Sequence, residues 1–332
     1  MDNITTDTDM PEFRPEDANG VGPIVNTPGD VQLPHDSTPL GDNIVAAVYQ
    51  PSAPDTGVGY SQEELNDPNA ISVTIADTDT PVVVLFGPPA CGKTMTLIRL
   101  ARYLRKHGYT VGAIDSFRPS YDEHYKEMCA GFDGMINSNN AAAGTSTINF
   151  MLMEVLKNGR RICQLLEAPG EHYFDPGKPD AGFPAYVNNI ISCNNRKVWT
   201  IFLEPSKTAI RMDDADRRAY VDRVEKLGKR MRHRDKVIML FNKVDETNLV
   251  YKPGRVHLTQ LKKDAEGLYP GIFDLFKNVH PITRFFRQHN CGFVAFQSGT
   301  YTPTQAHGKT FQEGPDEYPR MFWETLMKVI RG

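Results

Sequence analysis

The chain has 332 residues, with 41 acidic and 37 basic side chains, a net charge of −4 and 40% hydrophobic residues, enough for one large domain or two. Its five cysteines, at 91, 129, 163, 193 and 291, are scattered and never form a Cys-x-x-Cys pair. That spacing suggests neither a disulfide framework nor a zinc site and fits a reducing compartment. There is no signal peptide, lipidation motif or apolar run of about eighteen residues, so a soluble, cytoplasmic protein without membrane insertion is expected.

Charge is unevenly spread. Residues 1–70 carry thirteen acidic side chains and one basic one, Arg14, leaving 28 acids and 36 bases in the remainder. This stretch is rich in Pro, Asp, Thr and Gly and lacks apolar periodicity. It cannot bury enough surface to offset the entropy of ordering, so an acidic, disordered tail over 1–70 is expected. A short apolar run, Asn43 to Tyr49, could add a strand or dock on a partner. Residues 71–332 are then expected to form one domain. Ile71-Ser72-Val73-Thr74-Ile75 alternates and could supply an extra strand.

Pro81 to Phe86 reads as a buried strand leading into Gly87-Pro-Pro-Ala90-Cys91-Gly92-Lys93-Thr94-Met95. The spacing Gly-x4-Gly-Lys-Thr is that of a phosphate-binding (Walker A) loop. Glycines let successive backbone N–H groups turn inward onto phosphate oxygens, where a side chain would block the approach. The backbone of Gly87 and of Ala90 to Met95 would form the cradle, and the helix beginning near Lys93 adds its positive dipole end. Lys93 would reach the outer phosphates and the Thr94 hydroxyl would ligate Mg2+.

A helix follows through about His107, with Leu97, Ile98, Leu100, Ala101 and Leu104 as its core stripe. Arg99, Arg102, Arg105 and Lys106 are expected mostly on a solvated outer face. Thr110 to Asp115 is a plausible strand, and 116–143 an irregular stretch with a short helix. Thr147 to Val155 and Arg161 to Leu166 are strand candidates joined by Lys157-Asn158-Gly159-Arg160, a strong hairpin signal. The second strand runs into Glu167-Ala168-Pro169-Gly170-Glu171-His172, the form of a nucleotide-sensing switch in which the acid holds the Mg2+ shell and the glycine N–H meets the terminal phosphate. Further on, helices are expected at 185–192, 213–232, 272–289 and 317–330, and strands at 198–203, 237–241 and 292–296. The loops Asn242-Lys243-Val244-Asp245 and Gln297-Ser298-Gly299 end the last two strands, and 300–316 reads as a loop. Alternating strands and helices with one hairpin predict a three-layer α/β sandwich around a mostly parallel sheet, as in P-loop NTPases.

The phosphate loop, the acid-x-x-Gly switch, Asn242-Lys243-x-Asp245 and the Ser298-Gly299 turn stand in the order of the translation-factor and Ras-like GTPases. The chain resembles these over roughly residues 80–331, and most of all the divergent bacterial GTPases whose switch reads Pro-Gly-Glu. The resemblance implies binding of GTP and GDP with Mg2+ and hydrolysis of GTP as a molecular switch. It implies that Asp245 accepts the parallel N1–H and N2–H donors of guanine, which adenine does not offer. Asn242 would tie the loops, the Lys243 stem would lie on the ring, and a backbone N–H near Ser298 or Gly299 would meet the guanine oxygen.

The chain departs from the family in having Glu167 where Asp is usual, and Glu171 where Gln or His orients the attacking water; His172 is the neighbouring candidate for that task. A second threonine normally closes over Mg2+, and Thr145 is preferred to Thr147 because it precedes the strand. Arg118 could serve as an internal arginine finger, though an ordinary loop arginine fits as well. The basic residues from Arg217 to Lys236 are interleaved with Asp222 and Glu225 and lack an aromatic platform, so a solvated or partner-facing helix is expected and no nucleic acid. The long loops 116–147 and 170–184 suggest a surface for an effector, a regulator or a second copy. Two rival readings are a nucleotide-binding scaffold without useful hydrolysis and a P-loop kinase or ATPase with Asp115 as base or metal ligand.

Overall fold

Strand β1 (Val82–Phe86) is buried along its whole length, with every side chain at most 1% exposed. A strand apolar on both faces must be covered by helices on both sides. Each of its large side chains contributes about 1.5–3 kcal/mol of burial energy. The computed structural model describes residues 63–64, 67–137, 150–206, 212–278, 289–303 and 309–332, within a unit running from Ser52 to Gly332.

After β1 come α1 (Lys93–Lys106), β2 (Thr110–Ala113), α2 (Glu123–Asn137), β3 (Met151–Lys157) and β4 (Arg160–Glu167). The single turn α3 (Gly170–Tyr173) leads to α4 (Ala185–Ser192), β5 (Lys197–Leu203), α5 (Asp214–Arg230) and β6 (Lys236–Phe241). A small hairpin of β7 (Val250–Lys252) and β8 (Arg255–Val256), α6 (Leu258–Leu268), β9 (Gly292–Ala295), a second hairpin of β10 (Gly299–Pro303) and β11 (Lys309–Glu313), and α7 (Glu317–Arg331) complete the described chain. Seven strands form one sheet in the order β2-β3-β4-β1-β5-β6-β9. From β4 to β9 the neighbours are parallel, while β3 runs antiparallel to both β2 and β4. This is an α/β fold with a mostly parallel sheet and an antiparallel hairpin, resembling the P-loop NTPases.

The hairpin turn is Asn158-Gly159, with φ of 51° and 75°. Two left-handed residues in succession give the turn type whose twist matches that of the flanking strands. Register shifts between Val155 and Leu156, which pair with Cys163 and Arg161, so Ile162 is a bulge residue.

Several local expectations are corrected. Arg99 and Arg102 do not face water: they are 1% and 8% exposed. Arg99 pairs with Glu313 at 3.1 Å and with Asp316, and Arg102 with Glu313 at 2.8 Å. Their carboxylate partners follow more than 200 residues later, so nothing near the helix in the sequence revealed them. Residues 300–316 are not simply a loop, because they hold the β10–β11 hairpin. Helix α2 fills much of the stretch read as irregular. Of the helix expected over 272–289, Asp274–Phe276 is a 3-10 turn, and 279–288 lie outside the described residues.

Ile71 to Ile75 joins no strand. It lies in a strap that starts before residue 70 and is anchored across two segments. Thr74 N donates to Phe117 O at 2.8 Å, and Glu64 accepts two hydrogen bonds from Arg118 at 2.7 and 2.9 Å. Asn69 Oδ1 accepts the N–H of Ala185, the first residue of α4, at 3.0 Å, which satisfies a helix-terminal donor.

Candidate nucleotide-binding site

The loop between β1 and α1 curls so that Gly92 has φ 91°, and the space a Cβ would need there holds the Asn242 side-chain amide. The Lys93 ammonium lies across the loop, donating to Gly87 O and Pro88 O at 3.1 Å each. The Cys91 thiol is buried and pushed up to about 11, chiefly by desolvation, so it is an unreactive packing group.

The 242–245 loop meets this one directly. Asn242 Nδ2 donates to Cys91 O at 2.7 Å and Lys243 Nζ to Ala90 O at 3.1 Å, across about 150 residues of chain. Asn242 Oδ1 is buried without a hydrogen-bond partner. Lys243 takes a left-handed backbone, φ 55°, and its ammonium forms an ion pair with Glu204 just beyond β5. Asp245 is exposed, yet desolvation raises its carboxyl above the usual value against its own backbone N–H and Lys243. The 296–299 segment adjoins the same loop: Val244 N donates to Phe296 O at 3.3 Å, and Ser298 O accepts Gly314 N at 3.0 Å.

At the end of β4 the Glu167 side chain is buried, and its Oε1 accepts the Thr94 hydroxyl at 2.9 Å. Burial raises its pKa to about 8, opposed by Lys93 and by the Thr94 hydrogen bond. Its second oxygen, Oε2, is buried with no hydrogen-bond partner. A hydroxyl and a carboxylate oxygen left unsatisfied in the interior are hard donors of the kind Mg2+ takes, so these residues fit that ion.

Three residues on, Gly170 packs on the phosphate loop: a Cβ there would stand 2.5 Å from the Pro88 carbonyl carbon and closer still to Pro89 N. The two residues after it diverge. His172 Nδ1 lies 2.8 Å from the Tyr186 hydroxyl, and its pKa is lowered to about 4 by burial first and then by Lys93. The imidazole is therefore neutral at physiological pH. Glu171 is exposed on a pocket of about 440 Å³ shared with Pro68, Asn69, Phe183 and Arg223. Arg223, 5% exposed, donates to Tyr173 O at 2.6 Å and to Ala181 O and Gly182 O, and its guanidinium lies 3.6 Å from the Phe183 ring centre.

No family model matches the chain. A stretch of 58 residues, 17% of this chain, is 47% identical to the signal recognition particle 54 kDa protein of Methanothermobacter thermautotrophicus, and spans 13% of that protein. A structure of Methanosarcina barkeri Roco2 RocCORdC bound to GDP superposes with a TM-score of 0.32 at 12% identity, over 79% of this chain and 52% of that one. The strand order is that of an α/β fold resembling the P-loop NTPases.

Thr145 and Thr147 lie outside the described residues. Arg118 is 5% exposed and held by Glu64, by Asp122 at 2.8 Å and by Ser72 O at 2.7 Å, so in this arrangement it is a strap anchor rather than a finger. Asp115 follows β2, three strands from β1 in the sheet, or about 14 Å at ordinary strand spacing. That removes the geometric basis for Asp115 as a phosphate-site acid. Glu204 and Tyr186 escaped the sequence reading. An acid directly after the buried strand Lys197–Leu203 was the available signal for Glu204, whereas Tyr186 gave none.

Proposed function

We propose that this chain binds a guanine nucleotide with Mg2+ and hydrolyses GTP to GDP and phosphate as a molecular switch. The observation that carries the reading is the hydrogen-bonded junction of the 87–95 and 242–245 loops through Asn242 and Lys243. That junction sets the 87–95 loop, taken in this reading as the phosphate cradle, beside the loop that carries Asp245, taken as the guanine-selective carboxylate. In this reading Lys93 exchanges Gly87 O and Pro88 O for phosphate oxygens, and backbone N–H groups from Ala90 to Met95 cradle the phosphates. Asp245 selects guanine, with Ser298 and Gly299 beside the base. Thr94 and Glu167 hold Mg2+, together with Thr145 from the 138–149 segment; bound there, the ion neutralises phosphate charge.

In hydrolysis a water oxygen bonds to the γ-phosphorus as the bond to the β–γ bridging oxygen breaks; that oxygen keeps the electron pair on GDP, and the water's two protons leave with the phosphate as dihydrogen phosphate. Gly170 N–H meets the γ-phosphate, and Glu171 or His172 orients the water. Catalysis is mostly positioning and charge stabilisation, and slow without a partner. We assign residues 71–332 to the nucleotide-binding domain, with Glu64 and Asn69 of the preceding acidic tail tied to it, the cytoplasm as location, and an effector, a regulator or a second copy to the loops 116–147 and 170–184.

A nucleotide panel with Mg2+ tests the assignment: Asp245→Asn should move preference from guanine toward xanthine nucleotides, and unchanged GTP binding in that variant would count against it. The second reading, binding without useful hydrolysis, is favoured by the outward placement of Glu171 on the pocket wall. Phosphate release by the wild type no faster than by Lys93→Ala would establish it.

A further inference from the structure

We propose that Glu204 is a positioning residue of the base pocket, which fixes Lys243 so that its methylene stem forms one wall for the purine. This rests on the guanine-nucleotide reading above and adds a residue that no motif contains.

Lys243 sits where three segments meet. Its ammonium pairs with Glu204 after β5, its own backbone continues β6, and it donates to Ala90 O in the phosphate loop. The two side chains are 17% and 13% exposed, so the pair is shielded from the solvent screening that makes surface ion pairs weak. A lysine stem is flexible and loses substantial rotamer entropy when held in one conformation. A single carbonyl acceptor leaves the ammonium free to swing about it, whereas a second acceptor from another strand end sets the direction of the stem.

Glu204 is itself well placed to act as an anchor. Leu203 O accepts the backbone N–H of Asn242 at 2.9 Å, locking the ends of β5 and β6 together. The buried Tyr269 hydroxyl meets the Glu204 backbone. The charges also divide in a meaningful way. Lys93 acts on the buried Glu167 carboxyl, whereas Lys243 forms an ion pair with Glu204. One acid faces the phosphate-side lysine and the other holds the base-side lysine. Without Glu204, the triphosphate's negative charge would draw the Lys243 ammonium away from the base and toward the phosphates.

The test is a double-mutant cycle in the full chain, reading GDP and pyrophosphate affinity by calorimetry and folding by thermal melting. Glu204→Ala should weaken GDP binding about tenfold, a coupling within the range seen for contacting residues. Glu204→Gln should lose less, and pyrophosphate affinity should hold in both. In a Lys243→Ala background the effect of Glu204→Ala should fall below about twofold. Unchanged GDP affinity, an equal loss for GDP and pyrophosphate, or full additivity with Lys243→Ala would each overturn the inference. A wild-type chain that takes up pyrophosphate but no guanine nucleotide would overturn the functional reading and the inference with it.

Discussion

The two halves of the candidate site are held by different means. On the proposed phosphate-and-base side, the loops after β1, β5 and β6 bond to one another through Asn242, Lys243, Glu204 and the carbonyls of Ala90 and Cys91. On the switch side, the chain after Glu167 touches the phosphate loop through Gly170 and is otherwise secured from afar. Tyr186 holds His172, Arg223 gathers the carbonyls of 173, 181 and 182, and Asn69 caps α4. The first arrangement suits a rigid receptor. The second has contacts that can be exchanged one at a time, as a segment that reports the nucleotide state requires.

The largest effect should come from the rigid half. If Lys93 makes the charge-assisted phosphate contact proposed above, Lys93→Ala should cost nucleotide affinity about 100-fold, on the order of 3 kcal/mol. Calorimetry checks this, with the melting of the nucleotide-free variant measured alongside, because Gly87 O and Pro88 O lose their donor. Next, Gly170→Ala forces a Cβ into the Pro88–Pro89 backbone and should destabilise the fold by about 1–3 kcal/mol. Denaturant unfolding reads that loss, and a neutral result would mean that the switch gives way without cost.

His172 tests the switch half by pH. Its folded pKa, about 4, lies below the usual 6.5, so the unfolded state binds more protons between those values. The stability this group contributes is present above pH 6.5 and lost as pH falls toward 4, on the order of 2–3 kcal/mol. Glu167 runs the opposite way: with its folded pKa raised from 4.5 to about 8, its contribution is present below 4.5 and lost as pH rises through 8. The two overlap, so the wild type alone would mislead. The difference in unfolding free energy between wild type and His172→Gln, measured from pH 7 to pH 4, isolates the histidine; a flat difference would contradict its burial as the neutral form. The smallest effect belongs to the strap. Asn69→Ala should cost about 0.5–1 kcal/mol by leaving the Ala185 N–H without its acceptor, measurable as a small drop in unfolding midpoint.

The rigid half was largely legible in the sequence because its signals are local. Glycine spacing from 87 to 92 and an apolar strand before it each constrain the backbone within a few residues, as Asn158-Gly159 does for the hairpin that leads to the switch half. What escaped depends on partners far along the chain. Arg99 and Arg102 looked like a solvated face because Glu313 and Asp316 are more than 200 residues away. Arg118 looked available because Glu64 lay in a stretch read as tail. The pairing of β2 with β3 at the sheet edge, which carries Asp115 away from β1, is a tertiary choice that strand propensity does not encode.

The hairpin between β3 and β4 carries one more lesson. Side chains alternate faces along a strand, so the residue count from the Asn158-Gly159 corner, with Ile162 bulged out of the ladder, decides whether Glu167 or its neighbour meets Thr94. A one-residue slip of β4 against β3 and β1 would leave every pocket side chain chemically intact and still present Leu166 or Ala168 to the hydroxyl. In the proposed reading, the ligands of Mg2+ thus depend on strand register set outside the cavity, and a register shift would abolish magnesium dependence with every pocket residue present.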